Sequence, residues 1–592
     1  MTFNTGNTVP STDARDLYDN AQNFDQFSVG QELEYPDRLG VPRRSIAGIR
    51  HQVNEALADL GYIVKGDYAA GLVIGTYGEL FSKDGEFYRA KAGLALPYSL
   101  NGSWAVDAPK FVSVGDAVLR QELAGEQGAE MVGRTGGGAL ADLLVSAPGK
   151  GVDLIPGAGR VLDSIASLRL VNGSKHVFLT GYYAQGDGGG GHYYLDAADT
   201  ASADNGGSII VSDAGERWKL ASLGVFTVRQ FGAKGDGNTN DTDAFQRAIA
   251  ATSVLQIPNG VFVCGTLTIA KEMRIFGAGA TSDGSVIKSL SLSGDVFQLT
   301  SSSTTIENLY FTAASPRSSG AYVNCQGFGG HYLSRLEMWN AYDAIVIASS
   351  SNVTVNACRA FTTTGVCVSV VGGFNHSIYD FHANNPSGSQ PIAGIRVTAV
   401  GDLSMVACKM LQCGTALLVD VADGAFINSL EITDCFFDTS TLTGRIRSTG
   451  SGQIQRVDIN NTWFGNSQAQ GLVLSSTGTG AVNGVFLNNV RCAVNLGDGV
   501  EVGANVKNVH IASGHYGQCS GSAISVSPTG ELFMQGGLVG AGAGLNGNGR
   551  GFFISSGAVG QVIGTRIIGN TTQVTNGAGA GFGFIYTPGY TP

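Results

Sequence analysis

The sequence predicts an all-β protein whose main body, residues 226–573, is a parallel β-helix. A small mixed α/β domain (1–125) and a β-rich connector (126–225) precede it, and a short tail (574–592) follows. Three observations carry this: a composition of turns and strands, one short amphipathic helix at residue 241, and a repeat with a period near 25 beyond residue 304. A chain of 592 residues is too long for one ordinary core, so several domains are expected.

Composition narrows the class first. Charged residues are 14% of the chain and 87 residues are glycine, against averages of about 25% and about 7%. With only 14 prolines and no G-X-Y period, collagen is excluded. A net charge of −11 argues against nucleic-acid binding through a basic surface. The nine cysteines show no C-x-x-C pairs or His partners at metal spacing, so neither a metal nor another cofactor is expected. "MTFNTGNTVPST" lacks the basic-then-apolar pattern of a signal peptide, and no run of 18 apolar residues exists. The expectation is a soluble protein made in a cytoplasm with no membrane insertion.

Within residues 1–125, Ile46, Ile49, Val53 and Leu57 recur at helical spacing. "GELFSKDGEFYRAK" reads as a hairpin with Asp84-Gly85 at its tip. Further on, "GRTGGGALADLL" and "SAPGKGVDLIPGAG" are linker-like. The glycines at 188–191 lie between tyrosine-rich β runs with no helix after them, which favours a hairpin over a nucleotide loop.

"FGAKGDGNTNDTDAFQRAI" (231–249) has the ingredients of a phosphate or calcium loop but not their arrangement. No G-K-[ST] follows Lys234, and an EF-hand alignment puts Asp241 at the turn glycine and Arg247 at the bidentate Glu. The alternative is a turn, an N-cap at Asp241 or Thr242, and a helix whose Ala244, Phe245, Ala248 and Ile249 form one apolar stripe. An open β-helix end exposes unpaired edges and a raw core, so this helix is expected to cap the first coil.

The repeat core is an apolar residue, a polar one, a small or Asn/Asp residue, then three more. It reads "IENLYF" (306), "VNACRA" (355), "IYDFHA" (378), "MVACKM" (405), "ITDCFF" (432), "INNTWF" (459), "LNNVRC" (487) and "IASGHY" (511), with a poorer line "LEMWNA" at 336. Ile378, Met405, Ile432 and Ile459 are successive 27-residue steps; other steps run from 19 to 30. Such periodicity without intervening helices fits coils stacked at ~4.8 Å, giving about 11 coils and a rod of roughly 50 Å. Asn308, Asp380, Asp434, Asn461 and Asn489 then share one column, suited to a left-handed turn. Cys358, Cys408 and Cys435 fill the next as small buried hydrophobes.

Strand alternation turns the fourth residue beyond the first apolar one outward. That column reads Tyr310, Arg359, His382, Lys409, Phe436, Trp463, Arg491, His515. Aromatic and cationic groups in a row suit sugar rings with acidic substituents; an ordinary outer face or a contact between chains is the alternative. A second outward column, just before the first apolar residue, holds Glu431 and Asp458 one coil apart. Two carboxylates about 5 Å apart resist ionising together, the arrangement of an acid beside a base. That spacing alone does not choose between retention and inversion; the alternative is an exposed pair relaxed by solvent, with Arg456 or another subunit's base compensating it. Asp438, Asp343 and Glu337 are reserves.

"STDARDLYDNAQNFD" followed by "DRLGVPRRSIAGI" resembles the virion-anchor segment of bacteriophage tail fibres and tailspikes. Residues 126–225 resemble the connector of phage depolymerases, and 231–249 the start of pectate-lyase-superfamily β-helices. The resemblance implies a right-handed β-helix in a homotrimeric spike on the virion tail. Residues 1–125 would join a tail or baseplate adaptor, and the spike would bind and depolymerise bacterial surface polysaccharide, capsule or O-antigen. Hydrolysis by Glu431 and Asp458 is expected, with His382, Lys409, Trp463, Arg359, Arg491 and Tyr310 binding substrate. The alternatives are β-elimination on a uronic acid through Lys409, His382 or Arg359, and a receptor-binding fibre without catalysis.

Overall fold

The computed structural model describes residues 7, 13–37, 39–59, 61–114, 160–171, 174–386, 390–542 and 546–585. Most of "MTFNTGNTVPST", the Leu57 side chain, the linker-like 126–159 and the tail from 586 lie outside the described residues. The chain divides into two compact units, Met1–Leu154 and Ile155–Pro592.

In the first unit, helix α1 (Ala14–Ser28) starts at Asp13, whose carboxylate accepts a bond from the Arg15 backbone N–H at 2.9 Å. A hairpin (Glu34–Pro36 with Pro42–Arg44) leads into α2 (Ile46–Asp59) and a four-stranded sheet. The expected hairpin is present: Glu79–Lys83 pairs antiparallel with Glu86–Ala90. Asp84 and Gly85 both have positive φ (53° and 87°), the turn that matches strand twist. Ile74, Phe81, Ala90, Leu100 and Phe111 make the core. The α2 stripe is only partly used there, because Ile49 and Val53 remain 46% and 42% exposed beside a groove of about 700 Å³.

The second unit opens with a five-stranded sheet over a core centred on Tyr193 and Trp218. His176–Leu179 pairs antiparallel with Gly191–Leu195, so the glycine run closes a hairpin as expected. Close approach explains the glycines. A Cβ on Gly189 would stand 2.5 Å from the Arg229 carbonyl oxygen, and one on Gly190 would stand 2.2 Å from that of Leu179. The turn is held by Asp187, whose carboxylate accepts N–H bonds from Tyr182, Tyr183, Ala184 and Gly189.

Helix α3 (Thr242–Ala251) buries Ala244, Phe245, Ala248 and Ile249, the predicted stripe. Phe245 meets Phe262 edge-on at 5.4 Å, which seals the first coil. Asp241 stands at the N-cap position but does not cap. Its carboxylate turns back to accept the backbone N–H groups of Lys234 (2.7 Å) and Gly235 (3.1 Å), while Asn240 accepts from Thr242 N–H. Those loop amides are therefore occupied from within.

Beyond α3 the chain winds as a parallel solenoid with a 28-stranded sheet and a 13-stranded sheet. Ile378, Met405, Ile432 and Ile459 are successive register partners, all fully buried. The column continues through Val355, Leu333 and Ile306 on one side and Leu487, Ile511 and Met534 on the other. Thirteen stacked strands at ~4.8 Å make a stack of about 58 Å, longer than the sequence repeat suggested. The excess lies where the pattern is irregular: the 13-stranded sheet begins at Leu267, before the first clear repeat, and Phe582–Ile585 still pairs with Val559–Ile563.

One repeat line is corrected. Leu336 pairs with Leu309, not Ile306, so the coil reads "LSRLEM" from Leu333 rather than "LEMWNA" from Leu336. Asn308, Asp380, Asp434, Asn461 and Asn489 all have positive φ, between 47° and 58°, as their column requires. Cys358, Cys408 and Cys435 are buried, and burial pushes the Cys358 thiol up to about 12. A buried polar ladder went unread in the sequence. Asn385, Asn495 and Asn548 each accept the backbone N–H of the preceding coil, at Thr363, Ser467 and Cys519.

Candidate functional site: two outward columns beside one bend

The first column keeps its predicted register, Arg359–His382–Lys409–Phe436–Trp463–Arg491. Glu337 enters it between Tyr310 and Arg359, a consequence of the corrected repeat. Its carboxylate accepts the Trp339 indole N–H at 2.8 Å. Phe436 and Trp463 stack at 5.6 Å with planes 10° apart, and the Arg491 guanidinium lies 5.2 Å from the Trp463 ring. Gly465 gives the indole room, since a Cβ there would stand 2.3 Å from it. His515 departs from the outward expectation. It is 9% exposed, with its Nε2 at 3.0 Å from the Gly540 carbonyl oxygen.

Arg359, His382 and Lys409 stack on consecutive coils, three basic groups about 4.8 Å apart at the backbone. His382 Nε2 lies 3.0 Å from Asp380 Oδ1. Burial lowers the imidazole pKa; Asp380 opposes this, and Lys409 and Arg359 add to it. Among the described residues, Arg359 and Lys409 form no ion pair with a carboxylate. Such a row repels itself until an anion lies along it.

The second column runs Ser404–Glu431–Asp458–Phe486–His510–Phe533. Glu431 and Asp458 are direct register partners, and Glu431 is exposed. Asp458 takes the Arg456 guanidinium at 2.6 Å, the compensation that the solvent-relaxed alternative expects. Next comes an aromatic ladder: His510 lies between Phe486 and Phe533, each 5.2 Å away and within 20° of parallel. A depression of about 280 Å³ adjoins it, lined by His510, Phe533, Gln535 and Gln561. The ladder was within reach of the sequence, because Phe486 and His510 immediately precede the repeat residues Leu487 and Ile511.

The columns flank one bend. Glu431 and Phe436, like Asp458 and Trp463, are five residues apart, with Asp434 or Asn461 at the turn between them. Of the reserves, Glu337 joins the first column and the other two lie elsewhere. Asp438 is buried, accepting from Thr439 N–H (2.6 Å) and Asn466 (2.6 Å). Asp343 is on the 13-stranded sheet, accepting from Val366 N–H, and burial raises its pKa. Glu501, which the sequence reading missed, is on that same sheet. Burial and then Asp498 raise its pKa, against Arg445.

Residues 161–222 match the family described as phage tail protein small four-stranded beta-sheet domain. Residues 225–313 match rhamnogalacturonase A/epimerase, pectate lyase-like. The crystal structure of tailspike protein 3 of bacteriophage CBA120 superposes with a TM-score of 0.50 at 15% identity, covering 91% of this chain and 80% of that one. At that identity the likeness speaks to the fold. The tailspike of Acinetobacter phage vB_ApiP_P1 is 14% identical, with a TM-score of 0.41 over 67% of this chain and 70% of that one. The pre-neck appendage protein of Bacillus phage B103 is 32% identical over 151 residues, 25% of this chain. The match spans only 16% of that relative's length. With the solenoid, these matches show a connector similar to that phage tail domain leading into a pectate-lyase-like β-helix entrance, in a fold shared with a tailspike.

Proposed function

We propose that the protein is a virion tail spike that binds and hydrolyses a bacterial surface polysaccharide. Residues 1–125 would fasten it to a tail or baseplate adaptor, and three copies would form the spike. One observation carries the catalytic reading: Glu431 and Asp458 are paired on adjacent strands beside an aromatic ladder and one bend away from the basic row. Asp458, paired with the Arg456 guanidinium, suits the nucleophile or the base that activates water. Glu431, exposed and one coil away, suits the acid that protonates the leaving oxygen. Tyr310, Arg359, His382, Lys409, Trp463 and Arg491 would hold the chain through ring contacts and carboxylate pairs.

Mass analysis of products from candidate capsules tests this. Glu431→Gln and Asp458→Asn should each lower cleavage by about 10²–10⁴-fold without loss of binding. Unimpaired cleavage by both would remove the assignment. The Arg359–His382–Lys409 row, in which only His382 has a carboxylate partner, favours a second reading, β-elimination on a uronic acid, in which these groups neutralise its carboxylate and take its α-proton. New double-bond absorbance in the digest identifies that reaction; new reducing ends without it identify hydrolysis. Binding with unchanged polymer size would leave a receptor-binding fibre.

A further inference from the structure

A second concave site lies where the connector meets the solenoid entrance, within the same compact unit. Tyr182, Tyr183 and Asp187 on one side and Arg229, Lys234 and Asp236 on the other enclose about 270 Å³. Its walls are rigid for identifiable reasons. The Asp187 carboxylate is filled by backbone N–H groups. The Arg229 guanidinium donates to the carbonyls of Asp187, Lys234 and Asn259 and lies 5.5 Å from the Phe262 ring. Asp236 accepts from Asn238 N–H and from Thr239, whose bonds hold its pKa down at about 2. The Tyr182 and Tyr183 hydroxyls donate to the carbonyls of Gly206 and Gly232, each at 2.9 Å. A Cβ on Gly232 would stand 2.9 Å from the Tyr182 ring, so glycine lets that ring pack into the wall.

One rim group keeps its hydrogen-bonding capacity. The Lys234 ammonium lies 5.2 Å from the Tyr183 ring centroid, and among the described residues it pairs with no carboxylate. The Arg229 guanidinium is spent on carbonyls and the Asp187 and Asp236 carboxylates on N–H and hydroxyl groups, so aromatic walls and the Lys234 ammonium define the ligand: a compact body with an apolar face and one negative charge. The cavity falls below the usual ligand range of about 300–1,000 Å³, which limits the occupant to one ring rather than a chain.

We propose that this cavity binds a single carboxylated sugar ring, with the tyrosines as its apolar wall and Lys234 paired to the carboxylate. The site is separate from the solenoid columns and does not depend on the catalytic reading. Saturation-transfer NMR on the full chain, titrated with glucuronate, glucose and inorganic phosphate, tests it. Glucuronate should bind, more tightly than glucose or phosphate. Lys234→Gln should weaken it about tenfold, Lys234→Arg should retain it, and Lys175→Gln, at an exposed lysine outside the cavity, should leave it unchanged. Circular dichroism and polysaccharide binding, both expected to match wild type, confirm that Lys234→Gln is folded. No glucuronate binding, equal binding by Lys234→Gln, or phosphate binding as tight as glucuronate would overturn the assignment.

Discussion

Asp241 shows how one side chain can organise the solenoid entrance. It is 2% exposed, and burial raises its pKa, yet two loop N–H groups depend on it. Asp241→Ala should cost about 1–3 kcal/mol in chemical denaturation, because those amides lose their acceptor, and Asp241→Asn should cost less. His382 governs a different property. Its pKa is held below the usual ~6.5, so it is neutral at pH 7 and becomes a third positive charge in the basic row as pH falls. Affinity for an acidic polysaccharide should therefore rise as pH falls below the usual imidazole range, and His382→Asn should abolish that rise while binding at pH 8 changes little. A titration by surface plasmon resonance checks both.

At the scale of the element, the left-handed turn sets where each column begins. Asn461 has φ 49° and accepts a bond from the Asn489 amide at 2.9 Å, so the turn residues are tied from coil to coil. Asn461→Val should lower stability by about 1–2 kcal/mol, with a lower Tm, since a β-branched residue resists positive φ; Asn461→Gly should cost less. The same element shows how much was legible. Five turn positions stood out because Asn or Asp occupied them. At Arg335, Ala357 and Ala407, also at positive φ, no such residue marked the turn. Without that mark at Arg335, the coil was read three residues late, and Glu337 was not seen to belong to the basic column.

Across the whole molecule, the two parts of the second unit rest on different forces. The solenoid is stacked apolar columns, whereas the connector leans on carboxylates. Lys219 bridges Asp196 (2.6 Å) and Asp199 (2.9 Å), and bonds from Lys219 and from Ser202 respectively hold their pKa values low. Burial of Asp187 acts the other way, but its backbone N–H bonds outweigh it. Depressed pKa values give stability that is present above the unfolded value of ~3.9 and lost as pH falls through the folded one. Acid should therefore unfold the connector before the solenoid. A red shift of the buried Trp218 emission below about pH 4, ahead of the main calorimetric transition, is the expected result.

The amino-acid sequence by itself determined the coil period, the stacking of Ile378 on Met405, Ile432 and Ile459, the capping helix and the pairing of Glu431 with Asp458. Each follows from local alternation and a nearly constant step, which one chain carries in its letters. Only the tertiary structure decided that His515 is buried, that Asp241 serves the loop rather than the helix, and that Tyr183 and Lys234 enclose a cavity. Those outcomes depend on which backbone groups remain unpaired once distant segments meet, and neither spacing nor residue type encodes that.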